Sequence, residues 1–185
     1  MTQYAYPDVD TTVGNWTAST GSDRYAMVDD AHGTAVAVAD NTHITVADGG
    51  GGAEAIILEL SAVTDPSASN LHKVNVLWSD DSGSSAVTLN VNLKDTDGSD
   101  VKNQNFSYTD ESDEMDGSPS VSTMTLSTSE ANSIASYAEL ILTLTATDGM
   151  GMGTNTTVFQ AYFECPDAPA SGATATPAAF LLFVD

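Results

Sequence analysis

Val87-Thr88-Leu89-Asn90-Val91-Asn92-Leu93-Lys94 alternates without a break: four apolar side chains fall on one side of the chain and four polar ones on the other. A repeat of two is the signature of a half-buried β-strand, because successive side chains point to opposite faces of a sheet. The pattern recurs. Leu140, Leu142 and Leu144 alternate with Ile141, Thr143 and Thr145. Val74, Val76 and Trp78 do the same, as do Val158, Gln160 and Tyr162 set against Phe159, Ala161 and Phe163. Further strands are predicted at Tyr25–Val28, Ala35–Ala39, His43–Ala47, Ala55–Leu60, Gln104–Tyr108 and Ser122–Leu126. Turn-rich segments separate them at Asp48–Gly52, Asp80–Ser84, Asp95–Asp100 and Asp148–Gly153.

One short helix is expected. Ser127 and Glu130 have the Ser-x-x-Glu spacing of a capping box, and Ala131, Ile134, Ala135 and Ala138 follow at helical intervals. About ten short strands and one helix predict an all-β fold, an antiparallel two-sheet sandwich of jelly-roll type. The composition changes after Cys165. Residues 1–165 read as the sandwich and 166–185 as a Pro/Ala/Thr linker ending in an apolar arm, Phe180-Leu181-Leu182-Phe183-Val184. Such an arm is costly to leave in water. It either returns to its own sandwich as a last strand or docks on a neighbouring subunit as an interface element.

The charge is extreme. Acids number 26 against 4 bases (Arg24, Lys73, Lys94, Lys102), for a net charge of −22. Self-repulsion on this scale destabilises a compact state at low ionic strength and is screened in brine. An acidic extracellular protein of ordinary type is the alternative reading. Direct nucleic-acid binding is disfavoured, since phosphate contacts require Lys and Arg. Met1–Asp10 has neither the basic start nor the apolar run of a secretory signal, and no apolar run is long enough to span a membrane. The single cysteine, Cys165, excludes an internal disulfide framework.

Candidate chemistry is sparse. Asp95, Asp97 and Asp100 flank Gly98 as oxygen ligands in a short loop do, which suits a hard cation such as Ca or Mg. The same residues also make an acidic hairpin turn, and the bidentate Glu of a full calcium loop is missing. Asp110–Asp116 reads as a solvated acidic loop. His32, His43 and His72 lack zinc-site spacing, and there is no Gly-x-Ser-x-Gly elbow. Cys165 reads as a structural thiol. No residue is expected to be catalytic. Gly149, Gly151 and Gly153, alternating with Met150 and Met152, make either a long hairpin loop or an adaptable contact surface. Asn15, Asn105 and Asn155 head weak glycosylation triplets. Trp16, Tyr25 and Tyr108 are candidate surface-binding aromatics, with Trp78 in a strand more readily a core residue.

Four blocks in order carry a resemblance. They are Val13-Gly14-Asn15-Trp16-Thr17 with Gly21 and Arg24–Asp30; Leu60–Pro66 with Leu71-His72-Lys73-Val74; Thr125–Glu130 with Ile134 and Tyr137–Leu140; and Phe159 with Tyr162–Pro166. Together they span about residues 6 to 166 and resemble virion proteins of tailed viruses. The resemblance implies a non-enzymatic β-sandwich that decorates a capsid, forms a turret or builds part of a tail. With the brine-like charge it implies a virus of a halophilic archaeon, assembled in the host cytoplasm and exposed to salt as a virion. The partners it implies are other copies, as a trimer or pentamer, and the major capsid protein or other virion proteins. The apolar arm has no counterpart in the pattern. A carbohydrate- or host-surface-binding module is the other reading of such a sandwich.

Overall fold

A computed structural model describes residues 1–31, 42–47, 53–80, 87–108, 119–147 and 155–169. In chain order these form β1 (Thr2–Ala5), β2 (Pro7–Thr12), β3 (Thr17–Ala18), β4 (Ile44–Ala47), β5 (Ala53–Leu60), β6 (Lys73–Asp80), β7 (Val87–Lys94), β8 (Asp100–Tyr108), β9 (Ser120–Thr125), α1 (Thr128–Ala131), β10 (Ile141–Thr147) and β11 (Asn155–Pro166). The strands make two antiparallel sheets. One runs β3-β4-β11-β6-β9, with β1 also paired to β11; the other runs β2-β5-β10-β7-β8. The fold is the expected antiparallel two-sheet sandwich, with one short α-helix among the described residues.

The alternating strands supply the filling. Leu89, Val91 and Leu93 of β7 and Leu142 and Leu144 of β10 are fully buried, and Leu142 lies opposite Leu58 on one side and Leu93 on the other. Val74, Val76 and Trp78 of β6, in the first sheet, meet them across the core. In β11 the alternation changes phase. Val158 pairs with Trp78 and Gln160 with Leu77, so Phe159 is an extra residue in the ladder. Such a bulge shifts every following side chain by one place. Val158 faces the core before it, and Ala161, Phe163 and Cys165 face the core after it. Gln160 and Tyr162 therefore do not continue the inward face that Val158 begins.

Three local expectations are corrected. Tyr25–Met27 is a 3-10 turn, not a strand. The carboxylate of Asp10 accepts the backbone N–H groups of Arg24 and Tyr25, both at 2.7 Å, and so occupies the donors that a strand would place in a ladder. The helix is one turn long. Its capping box is present, with Glu130 N donating to Ser127 Oγ at 3.3 Å and Ser127 N to Glu130 Oε2 at 2.6 Å. Past Ala131 the Ala135 N–H goes to Asp95 Oδ2 at 2.6 Å, which draws the chain off the helical path and leaves Ala135 and Ala138 exposed. Strands β1 and β2, unexpected from their composition, tie the N-terminus to both sheets. The strand expected at Ala35–Ala39, the turn Asp148–Gly153, the acidic loop Asp110–Asp116, His32 and the arm Phe180, Leu181, Leu182, Phe183 and Val184 lie outside the described residues.

Candidate functional site

The three carboxylates of the β7–β8 hairpin are each spoken for by nearby donors. Asp95 is only 2% exposed. Its Oδ1 accepts from Thr96 N at 2.8 Å and its Oδ2 from Ala135 N at 2.6 Å, so it fastens the hairpin to the segment after α1. Gly98 turns the chain at φ +83°, and its N–H reaches Asp95 O at 2.8 Å. Asp97 accepts from Ser99 N at 2.8 Å, and these bonds to Ser99 hold its carboxyl below the usual range. Asp100 accepts from Asn92 Nδ2 at 2.9 Å and pairs with Lys94 at 3.3 Å; the amide first and the ammonium second lower its carboxyl. Among the described residues no three His, Cys, Asp or Glu side chains converge as a metal-holding group.

Trp16 and Tyr25, two of the candidate surface-binding aromatics, are turned to the core. Trp16 is 1% exposed and its Nε1 donates to Glu54 O at 3.2 Å, so it is a core residue with a satisfied polar tip. Tyr25 is half-buried against the core. Tyr108 ends β8. The structure instead gathers Tyr4, Tyr6 and Tyr162, with ring centroids 5.8 to 6.3 Å apart. They lie beside Glu164, and burial first and that carboxylate second raise the Tyr4 and Tyr162 hydroxyls. This cluster fastens β1 to β11. Its one sequence signal is Tyr4-Ala5-Tyr6, a period-two pair.

The reactive side chains lie deep. His72 is fully buried. Its Nδ1 is 2.9 Å from Asn70 O, which can only accept, so Nδ1 carries the proton and Nε2 accepts from Tyr137 OH at 2.8 Å. Burial pushes the imidazole below its ordinary value, keeping it neutral. Burial raises Tyr137 to about 12 and Cys165 to about 12, with nearby carboxylates adding to both. A neutral imidazole, phenol and thiol packed on Phe163 form a polar core plug. Over it lies a shallow cleft of about 220 Å³ bordered by Asp65, Ser67, Asn132 and Tyr137. Ser67 on its rim has φ +52°, and Leu71, four residues on and 62% exposed, has φ +61°.

Two surfaces stand out. The outer face of the second sheet is lined with amides and hydroxyls: Asn90, Asn92, Asn103, Asn105 and Thr143. Asn92 Oδ1 and Thr143 Oγ1, on directly paired residues, are buried there without a hydrogen-bond partner. The second surface is strand β9. It pairs with β6 on one side and with no described strand on the other. No charged residue occurs between Asp116 and Glu130, so the strand is uncharged throughout, and Val121 is 63% exposed on it.

No protein family matches the sequence, and no curated protein is similar to it. Solved structures with a similar course of chain include the enzymatically active domain of tailspike protein 4 of bacteriophage CBA120 (9% identity, TM-score 0.43, 88% of this chain and 19% of that one). The arabinose-bound α-L-arabinofuranosidase MgGH51 is similar at 14% identity and TM-score 0.45, over 86% of this chain and 25% of that one. A carbohydrate-binding module of the β-sandwich superfamily is similar at 16% identity and TM-score 0.44, over 85% of this chain and 62% of that one. The chain thus spans less than two thirds of the length of each, and no activity is carried over from likeness of this degree.

Proposed function

We propose that the chain is a non-enzymatic structural protein of a virion, a capsid decoration or turret component of a tailed virus that infects a halophile. The observation that carries this reading is the uncharged edge of β9 in a chain of net charge −22. Sandwich proteins that stay single blunt their edges with charge, proline or shortness. The other edges here follow that rule. β2 begins at Pro7 and carries Asp8 and Asp10, β8 carries Asp100 and Lys102, β3 has two residues and β1 four. β9 has none of these guards, which suits contact with another subunit, while the acidic remainder suits exposure to brine. The buried, neutral His72, Tyr137 and Cys165 serve as core groups in this reading. The test is to purify particles from a producing halophilic culture and locate the chain by mass spectrometry and immunogold labelling. Its presence at regular positions on the particle is expected; its absence from purified particles overturns the reading.

A second reading, a glycan- or host-surface-binding module, is favoured by one observation. The exposed amides of Asn103 and Asn105, beside the half-buried Asn90, line the outer face of β7 and β8 with donors and acceptors for a sugar's hydroxyl groups. Calorimetric titration with neutral oligosaccharides, repeated on Asn90→Ala and Asn105→Ala, tests it. Binding weakened by both substitutions supports it, and heat signals absent across the panel remove it.

A further inference from the structure

We infer that the open edge of β9 receives, as an added antiparallel strand, the Phe180–Val184 segment of a second copy of this chain; the inference rests on the proposed structural role in a virion.

The receiving edge is Ser120-Val121-Ser122-Thr123-Met124-Thr125. One side of it is held to β6 from Lys73 to Trp78, and Met124 is buried in the core. The other side offers backbone donors and acceptors with no described strand to take them. Main-chain hydrogen bonds to such an edge supply affinity, and alternate side chains supply fit. Phe180, Leu182 and Val184 share one face of an extended segment and Leu181 and Phe183 the other, so both of its faces bury apolar surface. One face would continue the core beyond Met124, and the other would cover Val121.

Electrostatics selects this pair of elements. Two copies of net charge −22 repel wherever acids face each other. No charged residue occurs between Asp167 and Asp185, nor between Asp116 and Glu130. Strand and edge therefore meet without bringing carboxylates together.

The exit of the chain leaves the arm able to reach a neighbour. β11 ends at Pro166, and the chain then runs on beside the N-terminus: Asp167 N donates to Met1 O at 3.3 Å, Gln3 Nε2 to Pro166 O at 2.9 Å, and the terminal ammonium lies 3.5 Å from Asp167 Oδ2. Pro166 and Pro169 fix their φ angles near −65° and restrict the residues before them to extended backbone. The chain thus leaves the end of its own sheet beside β1. The stretch from Pro169 to Phe180 extends to about 35 Å, enough to bridge to an adjoining sandwich.

The test uses the full chain in about 3 M NaCl, a deletion of residues 178–185, and Val121→Lys, which places a charge on an exposed position of the edge. Light scattering gives the mass, and thermal unfolding confirms that each variant is folded. The full chain should be oligomeric. Each variant alone should have the mass of one chain with its melting point kept. Mixing the two variants supplies one intact edge and one intact arm, and should restore a two-chain complex. A full chain that is monomeric places the arm on its own sandwich and overturns the inference. A deletion variant that keeps the oligomeric mass means the edges pair with each other or the contact lies elsewhere, and overturns it as well. Failure of the mixture to form a two-chain complex, with both variants folded, does the same. None of these outcomes depends on finding the chain in particles, so the inference and the proposed function fail separately.

Discussion

Tyr137 donates its hydroxyl to Nε2 of the buried His72 at 2.8 Å, and burial keeps the imidazole neutral. A proton added to Nε2 would turn this bond round, with Nε2 donating to the hydroxyl oxygen, and would leave a positive charge in a buried site. Burial holds the folded-state pKa of His72 below its ordinary value. The unfolded chain therefore binds the proton first as the pH falls through about 6.5, so stability is lost from there downward and is fully present above. The slope attributable to one proton is at most about 1.4 kcal/mol per pH unit. The melting point of the native protein should fall more between pH 7.5 and 5.5 than that of His72→Gln, after subtraction of the changes the carboxylates cause in both. Parallel curves for the two proteins would show that His72 is solvated or already charged.

Asp95 joins two parts of the fold that are distant in the chain. Removing its carboxylate in Asp95→Ala breaks the bonds from the Ala135 and Thr96 N–H groups, at about 0.5–1.5 kcal/mol for each. Asp97→Ala, on an exposed turn residue, should lower the melting point far less than Asp95→Ala. The ranking should be the same with 5 mM EDTA as with 5 mM CaCl₂ if these carboxylates act through hydrogen bonds. A calcium-dependent rise in melting point that vanishes in Asp97→Ala would assign the hairpin to metal binding instead.

Leu142 sits between Leu58 and Leu93 with no exposed surface. Truncation to alanine should cost about 2–5 kcal/mol by denaturant titration, the transfer term plus the cavity. A loss below about 0.5 kcal/mol would place this strand at the surface and put the register of the β5–β10–β7 ladder in error.

Cys165 is buried and its thiol is pushed up to about 12, so thiolate is scarce at neutral pH. An aromatic disulfide reagent should label it only as fast as the sandwich opens, and denaturant should accelerate labelling in step with unfolding. Rapid labelling of the folded protein would reveal an activated thiol.

How far the sequence could be read depended on whether the deciding forces were local. Val87–Lys94 and Leu140–Leu144 announced themselves because each strand has one face on the core and one in solvent, and the Ser127–Glu130 box because both of its partners lie within one turn. β1 and β2 were missed: Thr2-Gln-Tyr-Ala5 has no alternation, and it is a strand only because β11 supplies the other half of its ladder. The bulge at Phe159 is equally a property of the pairing with β6. Trp16 looked like a surface aromatic because its cover, Glu54 of β5, is far away in the chain. The open edge of β9 was invisible for the same reason: being at an edge is a fact about the sheet, not about Ser120–Thr125.

The last prediction concerns salt. Acids number 26 and bases 4, and among the described residues the ion pairs are few: Lys94 with Asp100, Lys102 with Glu130, and the N-terminal ammonium with Asp167. The remaining carboxylates repel one another through solvent. Raising NaCl from about 0.1 to 3 M shortens the screening length from about 10 Å to below about 3 Å. The melting point should therefore climb. Two mechanisms predict different shapes for that climb. Screening of repulsion is largely complete by about 1 M, so its share of the rise is steep and then flattens. Exclusion of salt from the surface strengthens apolar burial and continues to grow at higher concentration. A steep early rise, absent when sucrose replaces salt, identifies charge repulsion as the cause. A melting point that stays flat from 0.1 to 3 M would mean that the −22 charge is tolerated without brine, and the assignment to a halophile's virus would lose its physical basis.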